Sequence, residues 1–404
     1  MAYLLKAGRS PQKYDAWICG GAIVSPSFIV TSAACVEDVQ FMYAVAGTVH
    51  YVNTGRLAED KCTRALAKRV VLSCVPKSYE FSYDNIEKWS YIDIAAVKVE
   101  SPYNFSLTIP TPECKHLPEN EIWIPDRIYI NYEAKFQNPG TDALVLGWGH
   151  SSKWREPSDP TDHNEKLLQY ASTLIQNKTQ CKKYYRNLTD LQATIDKYMI
   201  CTLAKGNIDD QGHLIVTEKS NVDGCSDNDK KAGRCKLERL GPPPPPIPIP
   251  SIYDFDDVYV DFRRSIPNNT RITRRHGICQ NDHGGPLVTW IGAHEVLIGV
   301  ASVFRISHEL ECIGPYLYTS TQCNGQFLQC VIDDNTEHEH DTDDDDSRRK
   351  QKDVCNMAPA ERGFDIIERR ISWKHHPDGP AENELKEEIF ERPQIPLHNL
   401  YNRF

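Results

Sequence analysis

The stretch Cys279-Gln280-Asn281-Asp282-His283-Gly284-Gly285-Pro286-Leu287-Val288 decides how the whole 404-residue chain is read. Four other blocks precede it in order: Cys19-Gly20-Gly21-Ala22-Ile23, Thr31-Ser32-Ala33-Ala34-Cys35, Tyr91-Ile92-Asp93-Ile94-Ala95-Ala96-Val97-Lys98-Val99 and Leu144-Val145-Leu146-Gly147-Trp148-Gly149. Each block alone is a weak signal. Residues 2–5 and 16–30 read as strands, with turns at Gly20-Gly21 and Ser25-Pro26.

Taken together the five blocks resemble, in the same order, the motifs of trypsin-like serine proteases of the chymotrypsin fold. The resemblance runs from about residue 2 to 332, apart from an insertion at 202–276. It implies an all-β protein of two antiparallel six-stranded β-barrels with a cleft between them and a short helix near residues 324–331. The first barrel is expected at about 1–112, the connection at 101–127 and the second barrel at about 120–332. No internal repeat is visible. The family's Cys-x-Gly-Asp-Ser-Gly-Gly-Pro loop presents the attacking serine; here His283 holds the serine position and Asn281 that of the preceding glycine. In Thr31-Ser32-Ala33-Ala34-Cys35 the position of the family histidine is Ala34, and Asp93 is the one triad member that survives.

These departures bear directly on the chemistry. Peptide hydrolysis on this fold needs a hydroxyl nucleophile, an imidazole that takes its proton and a carboxylate that orients the imidazole. Ala34 offers no lone pair and His283 no hydroxyl, and loss of serine or histidine in this class costs about a millionfold in turnover. The His283 imidazole is expected to lack an orienting partner, and Asp93 to be a structural acceptor of hydrogen bonds. Asn281 tolerates positive φ better than most residues and is expected to offer its backbone N–H to the oxyanion loop. Asp282 pairs in the family with a freed terminal amine; no such Ile-Val-Gly-Gly-like start is visible, so Asp282 is expected to be a costly buried carboxylate without a charged partner.

The resemblance extends to the substrate cleft. Ser302-Val303-Phe304 aligns with the family's Ser-Trp-Gly strand, and Pro315-Tyr316-Leu317-Tyr318-Thr319 with its Pro-Gly-Val-Tyr-Thr. Two pocket-lining glycines are thus Phe304 and Tyr316, and Gly277 at the floor offers no charge. The expectation is a pocket filled by its own walls. The resemblance also implies three disulfides, Cys19–Cys35, Cys181–Cys201 and Cys279–Cys312, and the absence of a fourth family bridge whose two positions are Ala143 and Thr289. Cys62 and Cys74 are candidates for a local pair. Cys114 lies where relatives place a tether to an upstream domain, with Cys323, Cys330 and Cys355 as other partners open to it. Cys225 and Cys235 are close enough to close a small loop.

Whole-chain properties narrow the class further. A net charge of −10 argues against a nucleic-acid footprint, and no run of 18 apolar residues suggests a membrane span. Fourteen cysteines suggest an oxidising compartment. Sequons at Asn104, Asn177, Asn187 and Asn268 agree with secretion. The opening Met-Ala-Tyr-Leu-Leu-Lys lacks the features of a signal peptide, so the natural beginning is expected further upstream. An intracellular protein with free thiols is the other reading of the cysteines. The proline run at 242–250 reads as a stiff polyproline II spacer within the insertion. Residues 333–346 carry nine carboxylates and two histidines in fourteen positions, and the extension 333–404 is expected to be acidic and largely disordered, with helix-forming composition at 382–391.

The reading that unites these features is a secreted, non-catalytic serine protease homologue of arthropod type. It would act by binding a protein, as cofactor, decoy or regulator of a proteolytic cascade, without cofactor or metal. An unusual hydrolase using His283 with a nearby acid, or with a metal, is the rival; the sequence identifies at most two metal ligands where three or four are needed. A structural glycoprotein without a specific partner is the third reading.

Overall fold

The computed structural model describes residues 1–8, 12–82, 84–106, 112–118, 121–209, 212, 273–274, 277–332, 355 and 357–379. The Cys225–Cys235 loop, the proline run, the acidic run with His338 and His340, Asn268 and residues 382–391 lie outside them.

Six short strands build the first barrel: β1 (Ala2–Lys6), β2 (Ile18–Ile23), β3 (Phe28–Thr31), β4 (Met42–Ala46), β5 (Ala67–Pro76) and β6 (Ala95–Val99). All pair antiparallel in the order β5-β4-β1-β2-β3-β6, and β6 returns to β5 to close the ring. After the two-residue β7 (Tyr129–Ile130) the second barrel follows. Its strands are β8 (Asp142–Gly147), β9 (Gln169–Ile175), β10 (Met199–Lys205), β12 (Pro286–Ile291), β13 (His294–Ile306) and β14 (Cys312–Ser320), with the short β11 (Thr273–Arg274) added parallel to β9. The order β10-β14-β13-β12-β8-β9 closes through β9 and β10. Closure removes the open edges that would otherwise recruit other chains. A helix, Gly325–Val331, ends this half.

The barrels are locked to each other by large rings and by small residues. The Trp148 indole is fully buried, lies 4.9 Å from the Tyr3 ring and donates to the Val49 carbonyl at 2.6 Å. Gly20 must be glycine: a Cβ there would meet the Gly285 Cα at 2.5 Å. This close approach lets the Gly20 N–H donate to the His283 carbonyl at 2.7 Å. At the missing bridge, the Thr289 hydroxyl donates instead to the Asp142 carbonyl at 2.8 Å.

The expected disulfides Cys19–Cys35, Cys181–Cys201 and Cys279–Cys312 are present, but two cysteine expectations change. Cys62 pairs with Cys114, not with Cys74, because the helix Lys61–Leu66 packs against the turn Pro112–Cys114. Cys114 is therefore not a free tether within this chain. Cys74 is a free thiol facing Val30, Ile94 and Ala96 between the barrels, where burial pushes it up to about 12.

One part of the extension carries described structure. Cys330 bonds to Cys355, and residues 357–379 form an ordered strap on the first barrel. Its strand β15 (Ile366–Arg370) pairs antiparallel with β5 from Ile366↔Pro76 to Arg370↔Leu72. Ile371 and Trp373 are buried behind it. The Trp373 indole donates to the Val70 carbonyl at 2.8 Å and packs on Phe41 and Tyr43 at 5.1 and 5.2 Å. A few apolar residues without helical or strand period leave no clear sequence pattern, yet they complete a surface that the barrel supplies.

Candidate functional site

The cleft residues are delivered by elements from both barrels. Ser32 stands just before the helix Ala33–Asp38 without capping it through its side chain, and Ser32 and Ala34 both donate to Asp93 in the segment before β6. There Ile92 has φ 53°, a conformation a β-branched residue holds only where its surroundings impose it, at a cost of about 1–3 kcal/mol. This kink turns Asp93 into the interface, where it is fully buried.

The carboxylate of Asp93 is saturated with donors. Oδ1 accepts from the Ser32 hydroxyl at 2.6 Å and the Ala34 N–H at 2.8 Å; Oδ2 accepts from the Ser302 hydroxyl at 2.6 Å. Ser302 belongs to β13, so one carboxylate ties the two barrels together. Burial of a charge is tolerable because each oxygen is hydrogen-bonded.

His283 does not stand apart from this group, as the sequence had led one to expect. Its Nε2 lies 3.4 Å from Asp93 Oδ2, close enough for an ion pair if protonated but not aligned as a hydrogen bond. The ring therefore lies beside the carboxylate that also accepts the Ala34 N–H. Trp89, at the end of the helix Ile86–Trp89, covers it with ring centroids 5.3 Å apart. The imidazole therefore has an acid beside it, although no aligned hydrogen bond from Nε2 orients the ring.

The loop before His283 is held by its own polar atoms. Asn281 has φ 70°, in the left-handed region that Asn tolerates. Its amide donates to the Asn164 Oδ1 at 2.8 Å and the Ala16 carbonyl at 3.2 Å. Asp282 is fully buried, and the expected cost is met by backbone donors: Gly149 N–H reaches Oδ1 and Cys279 N–H reaches Oδ2, each at 2.9 Å. A carboxylate can be stabilised by such N–H groups without a cation.

At the expected pocket floor, Gly277 has φ 157°, and a Cβ placed on it would meet the Tyr316 ring at 2.2 Å. Tyr316 is buried among Ile278, Ala301 and Tyr318. Phe304 is half-buried and tilts against Trp154 at 5.8 Å. The structure thus brings Ala34, Asp93 and His283 together, and Gly277 and Tyr316 together, while Phe304 turns to Trp154. Sequence reasoning missed Trp89 and Trp154; nothing in their local sequence marks them, because their role depends on loops that meet only in the fold. Ser32 was legible only as part of its block.

Asn104, Asn177 and Asn187 are exposed, and the Asn177 side chain caps the helix Lys178–Lys182 through the Thr179 N–H at 2.8 Å. Among the described residues, no group of three or more His, Cys, Asp or Glu could hold a metal ion, and no helix is long and apolar enough to cross a membrane.

Comparison with known proteins agrees with this architecture. Venom serine protease 34 of Apis mellifera is 28% identical over 42% of this chain and 36% of its own length. Brachyurin of Leptuca pugilator is 23% identical over 45% of this chain and 64% of its own. The chain thus spans between about a third and two thirds of these two curated relatives. A solved structure, the scabies mite inactivated protease paralogue S-D1, aligns over 82% of this chain and 91% of its own, at 12% identity and a TM-score of 0.41. That likeness is too loose to bear on function. The sequence profile of the trypsin family matches residues 5–212, just over half of the chain, and with two closed barrels in the matching order the chain belongs to the trypsin family.

Proposed function

We propose that this chain is a secreted, non-catalytic member of the family that works by binding a protein partner in an extracellular proteolytic cascade. The observation that carries the reading is the pairing of Ala34 with His283 around Asp93. No imidazole stands on the helix that faces the carboxylate, and no hydroxyl stands on the loop, where the His283 imidazole lies 3.4 Å from Asp93. Without a base on one side and a nucleophile on the other, an alkoxide has no route of formation. The Tyr316 ring against Gly277 leaves no recess there for a substrate side chain. Described disulfides that staple both barrels suit an oxidising, extracellular compartment. Regulation, as cofactor or decoy, is what remains for a protease scaffold whose cleft cannot turn over. A serine-directed fluorophosphonate probe tests this on the purified chain: no labelling is expected, and stoichiometric labelling would refute it.

One observation favours a second reading. His283 Nε2 and the Ser302 hydroxyl share Asp93 Oδ2, which sets an imidazole, a hydroxyl and an acid side by side. A slow hydrolase built on His283 follows from that grouping. Turnover of a peptide library that disappears in His283→Ala supports it; equal background in both proteins removes it.

A further inference from the structure

A recess of about 520 Å³ lies on the rim of the second barrel, away from Asp93 and His283, lined by residues 183–188 and Arg305. Three of its lining side chains are cations, Lys183, Arg186 and Arg305, and no carboxylate lines it. Such a concentration of positive charge is unexpected in a chain of net charge −10. Among the described residues none of the three cations has an ion pair. The Asp196 carboxylate on the nearby helix Thr189–Tyr198 is engaged by Lys182 at 2.5 Å. The Glu87 carboxylate caps that helix, accepting the Asp190 and Leu191 N–H groups at 2.9 and 3.4 Å.

Two carbonyls of the wall, those of Tyr185 and Arg186, are already engaged. The Gln192 amide donates to the Tyr185 and Arg186 carbonyls, both at 3.2 Å, and the Leu188 N–H donates to the Tyr185 carbonyl at 2.9 Å. Tyr185 is buried and its hydroxyl donates to the Pro315 carbonyl at 2.6 Å, while Cys181–Cys201 fixes the base of the segment. Arg305 is half-buried, donates to the Gly314 carbonyl at 3.3 Å and lies 5.3 Å from the centre of the Tyr184 ring. Tyr184 itself is 48% exposed. The recess thus sets three cations and the Asn187 amide beside an open aromatic ring, held by hydrogen bonds within the protein. Preorganisation of this kind lowers the entropic cost of binding.

We infer that this recess binds an acidic segment of a partner protein. Two or three of its carboxylates pair with Lys183, Arg186 and Arg305, and one of its apolar side chains packs on Tyr184 and Leu188. A concave wall with an aromatic ring and an aliphatic side chain between the cations suits a peptide better than a sulfated glycan, which needs only an extended basic stripe. The inference does not rest on the cleft being inactive, since neither Asp93 nor His283 lines the recess.

Asn187 sits on the rim in an Asn-Leu-Thr sequon, so the test uses the full chain carrying Thr189→Ala, which keeps a sugar from crossing the mouth. A fluorescein-labelled Glu-Asp-Tyr-Glu-Asp peptide is titrated by fluorescence anisotropy at low and at high salt. Binding is expected at low salt, weakening as salt screens the pairs. Lys183→Glu with Arg186→Glu should weaken it about tenfold or more, since two of the three pairs become repulsive. Arg305→Gln should weaken it less, and Lys98→Glu on the first barrel should leave it unchanged. Equal thermal melts of the exposed-charge variants separate lost binding from lost folding. Absence of binding at low salt, binding indifferent to the double reversal, or stronger competition by a heparin-derived oligosaccharide than by unlabelled peptide would each overturn the assignment.

Discussion

Asp93 is a single carboxylate on which elements of both barrels converge. Its two oxygens accept three strong hydrogen bonds from both barrels, so it is a structural joint whatever becomes of its neighbours. The same geometry makes repair testable. Ala34→His with His283→Ser should restore labelling by a fluorophosphonate probe, whereas neither single variant should label. Peptide turnover should stay absent until Tyr316→Gly reopens the space beside Gly277. Labelling of the unmodified chain would contradict the premise. A second residue-scale expectation concerns His150, which is buried beside His163 and donates from Nδ1 to the Lys153 carbonyl at 3.1 Å. Burial pushes it down to about 4, below the usual histidine range. Its folded value is below the unfolded one, so its contribution is fully present above pH ~6.5 and is lost as pH falls toward 4. The loss is on the order of 3 kcal/mol at most. Urea midpoints measured across that window should fall with pH in the parent chain and fall less in His150→Gln.

At the scale of elements, the strap formed by β15 and Trp373 is the clearest departure from what composition suggested. The barrel strands were legible because buried residues gather in short runs bounded by glycine, proline and polar turns, as in β1, β2 and β3. The strap was not, because only Ile371, Trp373 and His376 of its segment are buried, and partners such as Gly8, Phe41, Tyr43 and Val70 lie more than three hundred positions away. No local window contains that information. Cys62–Cys114 escaped for the same reason, since the pairing depends on a helix meeting a turn across the first barrel. Trp373→Ala removes the indole and its hydrogen bond, and buried Trp→Ala changes cost about 3–5 kcal/mol. The expected outcome is local: hydrogen exchange of Ile366–Arg370 should accelerate sharply in the variant while that of β8 and β13 stays slow. Uniform acceleration through both barrels would mean that the strap holds the whole fold.

For the molecule as a whole, five short blocks were enough to announce two barrels, because the closed topology fixes where each block must sit. The candidate site was legible as a list of positions and not as a geometry. Ala34 and His283 could be read from the motif frame, but that the imidazole lies 3.4 Å from Asp93 under Trp89 depends on loops that meet only in the fold. Thiol chemistry offers a check on the assembled structure. Among the described cysteines only Cys74 and Cys323 are unpaired, one buried and one exposed. Iodoacetamide applied to the native protein should modify Cys323 and spare Cys74, and Cys74 should react once denaturant opens the interface. Modification of Cys62 or Cys114 without reductant would break the observed pairing.

Cys330 and Cys355 fasten the strap on one barrel to the closing helix of the other. A protease that cuts between those two positions, at Arg348-Arg349-Lys350 for example, would nick the backbone without parting the pieces. The product would be a two-chain protein of unchanged mass apart from one water, running as a single band on a non-reducing gel and as two once the sulfurs are reduced.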